Sequence, residues 1–446
     1  MKETQLQIPL PGVPKAKQGR DVPQRWAWTE ASVWTERMVT TLQRGIKGGK
    51  WFSLMDKVWK LENLQSAARQ VKANGGAAGV DGRDCETYLK DPNRLPGLQD
   101  RVKSGAYQPS PVKRVWIPKL GSKELRPLGI PTVEDRIVQT AIRNVIEPIF
   151  EHTFAEHSYG FRPNRGAKDA LRRVDQLLKA GQVWVVDADL KGYFDTIPQE
   201  PLMALVEEQV SDRPVLELIR KMLKQGVMES ARDWKPTERG TPQGAVISQL
   251  LANIYLTRLD HLMVRLGWEM VRYADDFVIL CGSWQQAQEV LETLRRWTEQ
   301  AGLTLHPAKT RIVDASQKGG FDFLGYHFER GHRWPRDKSL GKLRETIRQK
   351  TRRKNPHPMN QIIAEVNQTL RGWFNYFQHS VTNVFVREDQ WIRQRLRTIL
   401  RRRHKGTGRA RGRDYQRWPN AYFAELGLFS LAIARNQASH VRIRTH

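Results

Sequence analysis

The sequence predicts an α+β fold: an antiparallel sheet carrying clustered carboxylates, followed by a basic helical region. Three observations predict it. Tyr273-Ala274-Asp275-Asp276 sits between the apolar runs Met270-Val271 and Phe277-Val278-Ile279-Leu280, the pattern of a β-hairpin with two carboxylates at its turn. Val183-Trp184-Val185-Val186 is a compact β-type run that leads directly into Asp187-Ala188-Asp189. Beyond residue 340 the apolar residues recur at helical spacing.

In chain order, residues 1–51 mix Pro, Lys, Arg and Trp without periodicity, and Pro9, Pro11, Pro14 and Pro23 argue against regular structure. This stretch reads as a basic N-terminal extension that would order on RNA. From Leu54 the pattern turns helical, with Leu61, Leu64, Ala68 and Val71 in register until Asn74-Gly75-Gly76 stops it. Thr132 with Asp135 has the form of a capping box, and Ile137, Val138, Ala141, Ile142, Val145 and Ile149 form the buried stripe behind it. Two further helices carry Ile362, Val366, Leu370 and Phe374, then Ile392, Leu396 and Ile399. Arg393, Arg397 and Arg401 line another face of the second.

The carboxylates carry chemistry. Two unit charges about 4 Å apart repel by roughly 4 kcal/mol at an effective dielectric of 20. A divalent cation between them removes that cost, and Mg²⁺ suits the role because it takes carboxylates together with substrate phosphates. Asp187 and Asp189 are two apart on a strand and share a face, opposite to Ala188. A strand ending in carboxylates beside a hairpin presenting two more could hold two metal ions. Such a pair, about 3.5–4 Å apart, clamps the attacking and leaving oxygens of an in-line phosphoryl displacement. For Asp187 and Asp195 a turn or cap role is an equal alternative. Asp276 follows Asp275 directly, so the two face opposite sides unless the turn redirects them.

Composition narrows the partners. The 446-residue chain has a formal net charge of +27, and residues 341–420 hold 20 Lys and Arg against 5 Asp and Glu. Such asymmetry points to nucleic acid ahead of a membrane surface. No apolar stretch approaches the roughly 18 residues that span a bilayer, and Met1–Arg20 lacks the apolar core of a secretory signal. With Cys85 and Cys281 as the two cysteines, neither a disulfide framework nor a cysteine zinc site is expected. The expected setting is the cytosol, with no membrane partner.

An ordered series of strings carries a resemblance. Asp189 with Phe194 five later, Gly240-Thr241-Pro242-Gln243-Gly244, and Tyr-Ala-Asp-Asp resemble the palm of a reverse transcriptase. Around them stand Gly79-Val80-Asp81-Gly82, Ile117-Pro118-Lys119, Arg126-Pro127-Leu128-Gly129-Ile130-Pro131, Tyr159-Gly160-Phe161-Arg162-Pro163, Leu305 with Lys309-Thr310, Phe323-Leu324-Gly325 and Gly372-Trp373-Phe374. In this order, from about Phe52 to the end, they resemble a bacterial group II intron-encoded reverse transcriptase and maturase. The resemblance implies a right-hand polymerase, with fingers and palm over 52–335 and an α-helical thumb and maturase domain over 336–446. Relatives that append a nuclease domain extend beyond the maturase strings. With the chain ending at His446, that domain is not expected, and priming on a pre-existing DNA end is.

The resemblance also implies roles. Asp189, Asp275 and Asp276 would hold two Mg²⁺, with the backbone carbonyl of Leu190 as a further ligand. Lys119 and Arg126 would bind the incoming triphosphate, Gln243 would touch the nucleotide, Phe194 would screen the sugar, and Lys309 would protonate the departing pyrophosphate. Arg393, Arg397 and Arg401 would grip RNA. Expected partners are group II intron RNA, an RNA template with a DNA primer, dNTPs and target DNA, in the bacterial cytosol and at the nucleoid when acting on DNA. For Lys119, Arg126, Phe194 and Lys309 a purely structural or solvated role stays open. Two other functions also stay open: a domesticated relative serving DNA repair or phage defence, and an RNA-binding maturase without polymerase activity.

Overall fold

The computed structural model describes residues 24–46, 49–118, 125–230 and 233–443. Its strands are β1 (Val112–Pro118), β2 (Leu125–Ile130), β3 (Trp184–Asp189), β4 (Val227–Ser230), β5 (Asp233–Lys235), β6 (Glu269–Tyr273), β7 (Asp276–Cys281), β8 (Arg311–Asp314), β9 (Phe321–Phe323), β10 (Tyr326–Glu329) and β11 (His332–Pro335). Among the described residues they form three sheets, ordered β2-β1-β4-β5, β6-β7-β3-β8 and β11-β10-β9.

The middle sheet positions the carboxylates. β7 runs antiparallel to β3 with Asp189 opposite Asp276, and antiparallel to β6 with Tyr273 opposite Asp276. Both faces of this sheet are covered, which is why Phe277–Cys281 is apolar without alternation. Val186, Ala188, Phe277, Ile279 and Cys281 enter the main core, shared with the helices Val133–Glu151 and Ser248–Arg265. Val185, Val271, Val278 and Leu280 enter a second core, under the helix Ala167–Lys179 and the β9–β10 hairpin.

Most expected helices form where the spacing puts them. Thr132 Oγ1 accepts from the Asp135 backbone N–H at 3.1 Å and caps Val133–Glu151, whose stripe is fully buried. The helix expected from Leu54 is interrupted. A short turn Met55–Val58 precedes Leu61–Asn74, which ends at Gly75 with φ +64.

The stretch 1–51 differs from expectation where it is described. Glu36–Arg44 is helical, and Trp26 and Trp34 are 1% and 0% exposed. The Trp34 indole donates to the Asn144 carbonyl at 2.9 Å. Two buried tryptophans supply enough apolar area to anchor a chain that lacks periodicity. Pro9, Pro11, Pro14 and Pro23 lie outside the described residues.

Beyond β11, the helices Asp337–Lys350, Met359–Phe377 and Thr382–Arg403 build a third core around Ile347, Ile362, Leu370, Ile392 and Leu396. This helical unit touches the sheets through Tyr376. Its hydroxyl donates to the Leu324 carbonyl at 2.8 Å, and the Tyr326 hydroxyl donates to the Tyr376 carbonyl at 2.7 Å.

Candidate active site

The β6–β7 hairpin turns on Ala274 and Asp275, and Ala274 adopts a left-handed φ of +60. That conformation is uncommon for a residue with a Cβ and needs support from its surroundings. A buried network supplies it. Arg272, 0% exposed, donates Nη1 to the Ala274 carbonyl at 2.9 Å and to Asn253 Oδ1 at 2.9 Å, and donates Nε to Asp260 Oδ1 at 2.7 Å. Asn253 in turn donates to the Gly160 carbonyl at 2.8 Å. A Cβ at Gly160 would lie 2.2 Å from the Ala274 nitrogen, so the Tyr159-Gly160-Phe161 segment presses directly on the turn.

This geometry answers the question of facing. Asp275 belongs to the turn, so strand alternation does not apply to it, and Asp276 stands on the same sheet face as Asp189. The carboxylates feel one another. Asp275 is pushed above the ordinary range by desolvation and then by the Asp189 charge. Asp276 is pushed up to about 7, first by desolvation and then by Asp275, Asp187 and Asp189, against a hydrogen bond from the Leu324 backbone N–H. Its outer edge still meets solvent. Asp187 is raised to about 6 by desolvation, opposed by Arg311 at 3.4 Å. Lys309 Nζ lies 2.6 Å from Asp189 Oδ2.

The donor set is that of a hard divalent cation: carboxylate oxygens, crowded enough to raise one another's affinity for positive charge. Among the described residues no three His, Cys, Asp or Glu side chains already converge on one point. A cation would therefore have to compete with Lys309 for Asp189. Leu190 is buried and bridges to Leu305, which brings the Lys309 segment to the end of β3.

Beside the carboxylates lies a second constellation. Phe194 is 7% exposed, its ring 5.6 Å from that of Tyr193, whose hydroxyl donates to the Ala252 carbonyl at 2.6 Å. The Gly240–Gly244 loop is laid across this turn. Gly240 and Thr241 donate backbone N–H groups to the Ile197 and Phe194 carbonyls, each at 2.7 Å. A Cβ at Gly240 would meet the Phe194 carbonyl oxygen at 2.6 Å, so close backbone approach requires glycine there. Gln243 Oε1 accepts from Arg126 Nε at 3.0 Å. Lys119 lies outside the described residues.

The three arginines expected to meet RNA are placed differently from one another. Arg397 is 3% exposed, donating to the Trp418 carbonyl at 2.8 Å and to Asn420 Oδ1 at 2.7 Å, with its guanidinium over Tyr415 and Phe423. Arg401 donates to the Thr407 carbonyl at 2.8 Å and to Asp414 at 2.6 Å. Arg393 is half-buried beside Arg397. Arg397 and Arg401 thus staple the segment 407–420 onto the helix, while Arg402, Arg409, Arg411 and Arg413 are exposed.

Sequence reasoning missed Arg272, Asp260 and Asn253. The signal was a cation directly after the apolar pair Met270-Val271, within a strand pattern, a position that burial permits only with a partner.

Comparisons with known proteins give this chain's relatives. Residues 117–328 match the family "Reverse transcriptase (RNA-dependent DNA polymerase)", and residues 340–418 match "Group II intron, maturase-specific domain". Over 348 residues the chain is 35% identical to Protein YkfC of Escherichia coli (strain K12), covering 68% of this chain and 86% of that protein. It is 43% identical over 179 residues to the Group II intron-encoded protein LtrA of Lactococcus lactis subsp. cremoris, covering 40% of this chain and 30% of LtrA. A telomerase from Candida albicans, solved with a fragment of telomeric RNA, is similar at a TM-score of 0.41 and 14% identity, covering 67% of this chain and 60% of that one. Among the described residues no helix is long and apolar enough to cross a membrane. Reverse transcriptases are polymerases that depend on a divalent metal and act on a nucleic acid template. The chain belongs to the group II intron reverse transcriptase and maturase family, an RNA-directed DNA polymerase followed by a maturase-specific domain.

Proposed function

We propose that this protein copies RNA into DNA with two Mg²⁺ held by Asp189, Asp275 and Asp276, and that it binds a parent group II intron RNA to assist its splicing and mobility. The observation that carries the polymerase reading is Asp189 standing opposite Asp276 with Asp275 in the adjoining turn. When bound, the metal pair would lower the cost of charge developing on the transferring phosphoryl group. The protein's part is to orient. The Arg272 network holds the turn that presents Asp275, and Arg126 and Gln243 face the nucleotide. Phe194 walls the sugar: a bulky ring there rejects a 2′-hydroxyl by clash. Lys309, 2.6 Å from Asp189 Oδ2, would give a proton to departing pyrophosphate.

Primer extension on an RNA template with dNTPs and Mg²⁺ tests this, comparing the native protein with Asp275→Asn. Extension by the native protein that is lost in the variant is expected. No extension by the native protein would sink the polymerase reading.

For the RNA, the helical unit offers a cleft of about 170 Å³ lined by Thr351, Arg353, Trp391, Gln394, Arg395 and Arg409. Arg395 is held by Thr351 Oγ1 and the Thr351 carbonyl at 2.6 and 2.9 Å, both neutral acceptors. Guanidinium groups gathered without matching carboxylates suit phosphates, the groups by which RNA duplexes are mostly gripped. Retrotransposition into target DNA, in the bacterial cytosol and at the nucleoid, is the setting this reading implies. Binding of group II intron RNA in preference to an unrelated structured RNA of equal length, measured at 150 mM salt, tests it.

A further inference from the structure

Asp195 is not among the three carboxylates proposed to hold metal, and it closes a chain of hydrogen bonds to Arg126. Gln243 Nε2 donates to Asp195 Oδ2 at 3.0 Å, and Gln243 Oε1 accepts from Arg126 Nε at 3.0 Å. The backbone on which Gln243 rides is tied down on both sides. Gly240 and Thr241 are bonded to the Ile197 and Phe194 carbonyls, and the Gln243 carbonyl accepts from the Gly129 N–H of β2 at 2.6 Å. The side-chain amide remains the adjustable part.

An amide has one donating and one accepting end of nearly equal shape, so it has no intrinsic preference for either orientation. Its neighbours decide. A guanidinium can only donate and an ionised carboxylate can only accept, so one orientation alone satisfies both. Asp195 therefore turns the Gln243 oxygen toward Arg126. The contact uses Arg126 Nε and leaves the two terminal nitrogens for a planar, two-pronged grip on phosphate oxygens. Asp195 lines a cleft of about 350 Å³ together with Arg114, Trp116, Arg239 and Thr241; desolvation pushes its carboxyl above the ordinary value, and the Arg114 and Arg126 charges and the Gln243 amide oppose that rise.

We propose that Asp195 is a positioning residue for the incoming nucleotide, fixing through the Gln243 amide the plane of the Arg126 guanidinium that grips the triphosphate. The proposal rests on the reading of Arg126 as a triphosphate ligand. It predicts an effect on nucleotide affinity, where a role in folding or in the metal site would move turnover.

The test is steady-state extension of oligo(dT) on poly(rA) with dTTP varied at saturating Mg²⁺. Asp195→Ala is expected to raise the KM for dTTP by about ten-fold and to leave kcat within about two-fold, the scale of one charge-assisted hydrogen bond. Asp195→Asn keeps an accepting oxygen and is expected near the native KM. Gln243→Glu sets two carboxylates against each other and is expected to raise KM as Asp195→Ala does. Combining Gln243→Glu with Asp195→Asn reverses donor and acceptor, and is expected to recover most of that loss. A native KM in Asp195→Ala, or a double variant no better than Gln243→Glu alone, overturns the relay while a raised KM in Arg126→Ala keeps the nucleotide reading. A native KM in Arg126→Ala overturns both.

Discussion

Arg272 and Asp260 meet as a two-pronged ion pair buried to 0% and 2% exposure, and the same guanidinium holds the carbonyl of the turn residue Ala274. The pair therefore couples stability to the position of the acidic turn. Removing one partner of a buried pair leaves an uncompensated charge, a loss of about 3–5 kcal/mol. Asp260→Asn is expected to fall in that range in urea denaturation. Replacing both partners, as Arg272→Met with Asp260→Leu, should recover much of the stability. It should not recover primer extension, because Ala274 loses its donor. Full activity in that double variant would show that the turn holds itself.

Lys309 pairs with Asp189 at 2.6 Å, with its side chain 59% exposed. Lys309→Met is expected to split two readouts. Mn²⁺ binding, followed by electron paramagnetic resonance, should tighten because the cation no longer competes with an ammonium. The kcat for extension should fall by about 100-fold, the lower end of what a positioned proton donor contributes. Unchanged kcat would remove Lys309 from the chemistry.

The maturase arginines divide by burial. Arg397→Ala loses two hydrogen bonds and two aromatic contacts, so it should cost roughly 2–4 kcal/mol in thermal or chemical denaturation. Arg409→Ala, at an exposed position, should leave stability within about 0.5 kcal/mol. It should also reduce the salt slope of RNA binding by about 1. An unchanged slope would take Arg409 out of the interface.

Glu147 sets a pH dependence. Burial pushes its carboxyl up to about 7, against Arg143 at 3.7 Å and with added repulsion from Glu151. Below the ordinary 4.5, both the folded and unfolded forms keep the proton. Between 4.5 and about 7 the unfolded chain releases it while the folded protein retains it, so stability falls as pH rises through this window. Glu147→Gln is expected to flatten that decline and to be more stable than the native protein at pH 8, by chemical denaturation. Equal losses at pH 5 and pH 8 in the variant would count against it.

Much of this was legible in one dimension. The β6–β7 hairpin, the strand ending at Asp189, the Thr132 cap and the helices carrying Ile362 and Ile392 all follow from periodicity and turn chemistry, which act between residues close in sequence. The ordered strings sufficed to identify the family. What tertiary structure alone decided is which charges are spent inside. Arg272 is bound to Asp260 and Asn253, Arg397 to Trp418, and Gln243 to both Arg126 and Asp195, across separations of 12 to 117 residues. Trp34, in a segment without periodicity, finds Asn144 110 residues away. The physical reason is that an isolated charge or indole looks the same in a sequence whether it is solvated or buried. Its fate depends on the acceptor that the rest of the chain brings opposite it.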